Sequence, residues 1–296
     1  MRNALAKAGV LTEALPYIRT YRGRTVVVKI GGEALDDQRK ASMVAEDLAL
    51  MALVGINLVV VHGGGPQVSE AMAQAGIQPT FVGGLRVTDT QSMEIVRRVL
   101  IGSINSDLVA RLNAAGLSAV GLSGADGGLV QVARATGARG EDLGLVGEVT
   151  AVDAGLVSSL LSDGRTPVLA SVAPDTDGVA HNVNADAVAG ALAAALAAAK
   201  LVYLTNVEGL YADFGDRDSL VSELKLADLE AMLPGLSAGM RPKATSVVAA
   251  LHAGVGKAHI LDGRVEHALL VEVFTDEGIG TQVLSDESFD DYGGKQ

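Results

Sequence analysis

The sequence predicts an α/β fold: a mainly parallel sheet with helices on both faces. Three observations carry this. Apolar, β-branched runs recur at residues 25–30, 57–62, 117–122, 166–172, 201–205 and 257–261, most are followed within two residues by Gly or Asn, and a helical pattern comes next. Strands this continuously apolar are buried on both sides, so ligand sites are expected beyond their carboxyl ends.

The helical patterns between these runs cover residues 39–53, 66–75, 91–115, 154–162, 185–199 and 243–253. Segments around 129–134 and 175–180 read as hairpin turns, which makes the sheet mixed at its edges. Residues 174–178 mark the expected boundary between two lobes, 24–173 and 174–296, after an N-terminal segment of residues 1–23. The polar stretch 285–296 reads as a disordered tail.

Composition removes several classes of function. A chain of 296 residues with 49% hydrophobic content can bury a large core, as one α/β domain or two fused lobes. The absence of cysteine rules out disulfides, thiolate metal sites and thiol nucleophiles, and agrees with a reducing cytosol. Lys plus Arg number 23 against 35 Asp plus Glu, and the net charge of −12 repels nucleic acid and anionic lipid. The longest apolar run, 187–199, stops at Lys200 and is too short to span a bilayer. A soluble, cytoplasmic protein with no nucleic-acid or membrane partner is expected.

Two glycine turns suggest phosphate. The first strand ends in Lys29-Ile30-Gly31-Gly32, an ammonium beside backbone that can approach a ligand closely. Taken alone, it reads equally well as a strand-to-helix turn with an incidental lysine. Neither G-x-x-x-x-G-K-[ST] nor G-x-G-x-x-G occurs in the chain. The second strand ends in His62-Gly63-Gly64-Gly65-Pro66, with Pro66 suited to a first helical turn and the glycine N–H groups to an anion. His62 reads as a structural imidazole satisfied by its neighbours.

Three further stretches carry charge at special places. Residues 83–89 set Arg86 in a glycine-flexed loop before a helix capped by Thr88 or Asp89, where its fork suits a carboxylate or simply faces solvent. Asn182 precedes Asn184, a helix cap, and Asp186 then falls in the first turn, favoured by the helix dipole whether or not it meets a ligand. Lys243 follows a Gly/Pro turn at the start of another helix. There it opposes the dipole, so a ligand or a carboxylate explains it better than helix stability does.

In this order the motifs K-I-G-G (29–32), H-G-G-G-P-Q (62–67), G-L-R-V-T-D (84–89), G-L-S-G-A-D-G (121–127), N-V-N-A-D (182–186) and G-M-R-P-K (239–243) resemble the amino acid kinase family. Within it they resemble the members of the arginine pathway that phosphorylate N-acetyl-L-glutamate on its side-chain carboxylate. The resemblance spans nearly the whole chain. It implies a three-layer αβα sandwich with an open, mainly parallel central sheet, the acyl substrate on the N-terminal lobe, which also dimerises, and ATP on the C-terminal lobe. Position by position, it makes Lys29 and Lys243 the cations of the transferring phosphoryl group, Asp186 their organiser, and Gly31 and Gly32 part of the nucleotide side. Gly64 and Gly65 become backbone contacts, and Arg86 and Asn182 hold the acyl substrate.

The chemistry agrees with that implication. A carboxylate with a pKa of about 4 is already an anionic nucleophile at neutral pH and needs no general base. What the protein must supply is charge compensation and alignment. The two D-x-D pairs of the chain, Asp175/Asp177 and Asp216/Asp218, fall outside these motifs, so Mg2+ is expected to arrive with the nucleotide and no metal site on the chain is expected. Departures from the family pattern are Ala125 where Lys is common, Gly83 where Asp or Asn is usual, and Ala238 where a Gly often stands.

Before the first strand, Val10, Leu11, Ala14, Leu15 and Ile18 are spaced as one helix face, with Pro16 to kink the helix and Gly23 to end it. The segment resembles the N-terminal helix of arginine-inhibited members, in which such helices link three dimers into a hexamer. That resemblance implies an L-arginine site made by Tyr17, His267, Glu272 and Gly280. A kinase acting on an aminoadipate-type substrate and a non-catalytic arginine sensor are the rival readings. Retention of Lys29, Asp186 and Lys243 together argues against the sensor.

Overall fold

The computed structural model describes residues 12–213, 216–237, 239–275 and 278–285. Val10, Leu11, Ala238 and residues 286–296, on which expectations above fall, lie outside the described residues. The central sheet has eight strands in the order Glu223–Lys225, Thr281–Leu284, Lys257–Asp262, Lys200–Thr205, Thr25–Ile30, Asn57–His62, Thr166–Ala170 and Ala119–Ser123. Every neighbouring pair is parallel except Lys257–Asp262 with Thr281–Leu284. All six expected strands contribute to this sheet, although the run 166–172 does so only over Thr166–Ala170. The two extra strands, at one edge, are three and four residues long, too short for a periodic signal.

Burial on both faces explains the apolar runs. Val27 packs into one hydrophobic cluster with Val188, Leu192 and Val247, whereas Val26 and Val28 enter another with Leu48, Met51 and Leu108. Helices therefore cover both sides of the sheet. The chain builds one half outward from Thr25–Ile30 and the other outward from Lys200–Thr205, and these two strands are neighbours with Lys29 opposite Tyr203. Their carboxyl ends bound the crevice at the topological switch, where open α/β sheets bind ligands.

A second sheet stands beyond those ends, with strands in the order Val130–Thr136, Asp142–Val152, Ala180–Val183 and Val172–Pro174. The expected strand 166–172 is thus two strands divided at Ser171, one in each sheet. Residues 175–180 form the expected hairpin turn: Asp175 N–H donates to Val179 O at 2.9 Å, and the Asp175 carboxylate accepts from Asp177 and Val179. Residues 130–134, expected in a turn, are strand. The turn sits instead where Gly137 N–H donates to Glu141 O.

Two helices depart from their expected form. The pattern at 91–115 is realised as Thr90–Arg97, a π-helical segment Arg98–Asn105, and Ser106–Ala114. The alanine-rich helix stops at Ala195 rather than 199, because Ala197 turns left-handed (φ 46°) to lead Lys200 into its strand. Near the N-terminus, Pro16 opens the helix Leu15–Tyr21, and Gly23, at φ 74°, turns the chain into the first strand. Among the described residues no helix is long and apolar enough to cross a membrane.

Candidate active site

Asp186 is the centre of the crevice. Asn184 caps the helix Ala185–Ala195 by accepting from the backbone N–H of Asp186 at 2.8 Å and of Ala187 at 3.4 Å. This fixes Asp186 in the first turn, as the sequence implies. Lys29, at the end of its strand, brings Nζ to 2.8 Å from Asp186 Oδ1, and Lys243 Nζ donates to Oδ2 at 2.9 Å. Two ammonium groups, one from a strand end and one from a helix start, therefore share one carboxylate.

Burial alone would push the Asp186 carboxyl up, but Lys29 and Lys243 overcome it and hold the group at about 2. Burial draws Lys243 down, and the Asp186 charge opposes that shift. The unfavourable dipole position of Lys243, in the first turn of the uncapped helix Arg241–His252, is offset by this contact.

Beneath the carboxylate lies a support that the sequence did not reveal. Ser246 Oγ donates to the Asp186 carbonyl at 2.6 Å and lies 2.5 Å from the Tyr203 hydroxyl. The Lys243 ammonium stands 5.3 Å from the Tyr203 ring centroid. A polar-tipped Tyr within an otherwise aliphatic strand was the available signal.

The glycine turns meet at the crevice. A Cβ on Gly32 would come 2.9 Å from Gln67 Oε1 and from Pro66 Cδ, so only glycine allows the two turns to touch. Gln67 Nε2 bonds Gly32 O at 3.0 Å across that contact. Gly31 N–H donates to Leu204 O, tying the first turn to the neighbouring strand. Gly64 precedes the helix Gly65–Gln74, whose first turn contains Pro66, and a Cβ at Gly64 would collide with Ile104 and Leu100. The space beside Gly65 is open.

Arg86 is buried on the same side. One end of its fork donates to Gly65 O at 2.9 Å and Ser69 Oγ at 2.8 Å, the other donates to Met72 Sδ at 3.5 Å, and the Phe81 ring lies 4.7 Å from its carbon centre. Asn182 donates to Thr88 Oγ1 at 3.2 Å, and Asp89 caps the next helix through Ser92 N–H. A cavity of about 230 Å³ is lined by Lys29, Gly64, Gly65, Arg86, Asn182 and Asp186, with Lys243 on the far oxygen of Asp186. All the residues assigned to catalysis and acyl binding are brought together there. Gly31 and Gly32 adjoin from the first turn.

The residues named for arginine divide. Tyr17, Glu272 and Gly280 line one pocket of about 200 Å³, with Lys200, Glu223 and Lys257. His267 does not join them. It is about half exposed, takes a left-handed backbone (φ 56°), and lies 2.6 Å from Asp47. The histidine against Glu272 is His259, at 2.5 Å, in the strand Lys257–Asp262. Burial pushes its imidazole down to about 4. The resemblance named His267, but that residue faces Asp47, whereas the strand Lys257–Asp262 carries His259 to Glu272.

The amino acid kinase family model matches residues 24–262. The chain is 50% identical over 287 residues to the acetylglutamate kinase of Saccharopolyspora erythraea, across 96% of this chain and 95% of that one. Among solved structures it is similar to the N-acetylglutamate synthase of Neisseria gonorrhoeae complexed with coenzyme A and N-acetyl-glutamate, with a TM-score of 0.84 and 28% identity. That match covers 94% of this chain but 63% of the synthase, so this chain spans less than two thirds of that protein. The same synthase complexed with coenzyme A and L-arginine matches with a TM-score of 0.80 and 27% identity, over 94% of this chain and 65% of that one. With the model match and the 50% identity together, the chain belongs to the amino acid kinase family.

Proposed function

We propose that this protein transfers a phosphoryl group from ATP to the side-chain carboxylate of N-acetyl-L-glutamate, giving N-acetylglutamyl 5-phosphate and ADP, a step of arginine biosynthesis. The observation that carries the proposal is the sharing of Asp186 by Lys29 and Lys243 beside the glycine turns and Arg86. The likeness to an acetylglutamate kinase over nearly the full length supports the substrate.

Each residue then has a physical task. Arg86, braced by Gly65, Ser69 and Phe81, offers a preset fork to a carboxylate of the acyl substrate, and Asn182 adds an amide. The Gly64 and Gly65 N–H groups and the two ammoniums compensate charge that spreads over the equatorial phosphoryl oxygens. Asp186 keeps both ammoniums on one point, so little reorganisation is needed as the phosphoryl moves. Both its oxygens are engaged by lysines, which leaves Mg2+ to be held by the nucleotide phosphates, where it would neutralise their charge. Residues 24–173 carry the acyl substrate and residues 174–296 the ATP, in a cytoplasmic enzyme.

The pocket around Glu272 is the candidate L-arginine site. It pairs Lys200 and Lys257 with Glu223 and Glu272, so it offers anions to the ammonium and guanidinium of arginine and cations to its carboxylate. Tyr17 reaches it from the N-terminal helix, which would couple it to a hexamer built as a trimer of dimers.

A coupled assay of ADP release with ATP and N-acetylglutamate, with and without L-arginine, tests the whole reading. Absence of acetylglutamate-dependent turnover would overturn it. Faster turnover of N-acetylaminoadipate would reassign the substrate, since one methylene shifts binding by about 1–3 kcal/mol.

A further inference from the structure

The second glycine turn is held from behind by one unusual element. The π-helical segment Arg98–Asn105 interrupts a helix whose sequence pattern is otherwise continuous, and such segments are often found at functional sites. Its residues Leu100 and Ile104 fill the space where a Gly64 side chain would stand. Its last residue, Asn105, is buried and sends its amide into the sheet. There Nδ2 donates to Val168 O at 2.9 Å and lies 3.0 Å from His62 Nε2.

These contacts fix every proton. A backbone carbonyl can only accept, so the Val168 contact identifies the Asn105 NH2 end, and its second hydrogen faces His62 Nε2. That nitrogen must then be the acceptor, which leaves the imidazole proton on Nδ1. Nδ1 lies 3.0 Å from Gly63 O, so it donates to that carbonyl. The peptide whose carbonyl is held is the one whose N–H belongs to Gly64. A chain of defined hydrogen bonds thus runs from the π segment, through a fully buried imidazole, to the orientation of a proposed phosphate-facing amide.

We propose that Asn105 and His62 are positioning residues for phosphoryl transfer, acting by setting the Gly63–Gly64 peptide plane from inside the sheet. This rests on the phosphoryl-transfer reading above. Burial draws the His62 pKa to about 4, which keeps the ring neutral with a single N–H at working pH. Neither residue touches the crevice cavity, so neither acts on substrate directly.

The test uses Asn105→Asp, a change of nearly constant volume that replaces the donating NH2 with an accepting oxygen. His62 Nε2 then loses its donor, and the ring must either flip its tautomer, releasing Gly63, or bind a second proton. Wild-type turnover establishes the reaction itself. Failure there sinks the functional reading, whereas failure confined to the variants concerns only the positioning residues.

In the variant kcat should fall by about 10- to 100-fold at pH 8, with the KM for N-acetylglutamate nearly unchanged, as expected for a displaced group. The loss should shrink as pH falls toward 6, because an imidazolium donates from both nitrogens, and wild type should show no such recovery. Gly121→Ala is the second variant. Its Cβ would press on Asn105 Oδ1 from the edge strand without removing any group, and it should also lower kcat. Wild-type kcat in Asn105→Asp, or a kcat loss that does not ease at low pH, would overturn the inference. Loss of folding in both variants would overturn it too, by assigning the amide to stability alone.

Discussion

Asp186 and Glu272 are both buried carboxylates close to lysines, yet they organise opposite kinds of site. Around Asp186 stand Lys29, Lys243 and Arg86, three cations against one anion. Around Glu272 stand Lys200 and Lys257 with Glu223, two of each sign, and a histidine kept largely neutral by burial. Net positive charge in a closed crevice favours anions such as carboxylates and phosphates, whereas a balanced pocket favours a ligand carrying both signs. On the proposed function, a carboxylate would then serve as an organiser in one place and as a ligand group in the other. The number of cations it faces decides which.

The strongest way to break this comparison is Asp186→Asn. It leaves two ammoniums buried without a counter-charge and should cost about 3–5 kcal/mol of stability, read from urea unfolding, while abolishing measurable turnover. The associated pH dependence has a definite sign. Because the folded carboxyl is depressed from 3.8 to about 2, its stabilisation is complete above about pH 5 and is lost as pH falls through about 2. A wild-type acid-unfolding curve identical to that of the variant would contradict the assignment.

Lys29→Met should lower kcat by about 1,000-fold while the circular dichroism spectrum is kept, because one preset cation is lost from the phosphoryl group. Full activity would remove the charge-compensating role. Arg86→Lys keeps the charge but not the fork, and should raise the KM for N-acetylglutamate by about 10- to 100-fold with a smaller change in kcat. A change in kcat alone would place Arg86 on the phosphoryl side. The smallest effect on turnover belongs to the other carboxylate. Glu272→Gln should leave basal rates intact and remove L-arginine inhibition, and His267→Ala should leave inhibition unchanged. Arginine sensitivity lost only in the latter would reverse the reassignment to His259.

Legibility followed the range over which each signal acts. The inner strands were readable because burial on both faces forces unbroken apolar runs, and each of the six runs supplies a strand of the central sheet, with 166–172 continuing into the second sheet after Ser171. Asn184 was readable as a cap, and the next one was narrowed to Thr88 or Asp89, because capping is decided within three residues; the structure assigns it to Asp89. The strands Glu223–Lys225 and Thr281–Leu284 were not, since strands of three and four residues carry no period. The π segment was equally silent, because its wider turn is imposed by where Asn105, Leu100 and Ile104 must reach rather than by helix-forming preference.

By itself the sequence determined the chemical inventory and its local settings: cations and glycines at strand ends, carboxylates at helix starts, and no thiol to compete with them. Only the tertiary structure decided partners. That Lys29 and Lys243 close on the two oxygens of one Asp186, that His259 rather than His267 meets Glu272, and that Tyr203 and Ser246 brace the centre depends on strand order and helix packing. The reason is physical. Backbone periodicity fixes the direction of a side chain relative to its own element, but distance across elements is set by the register and close packing of the folded core.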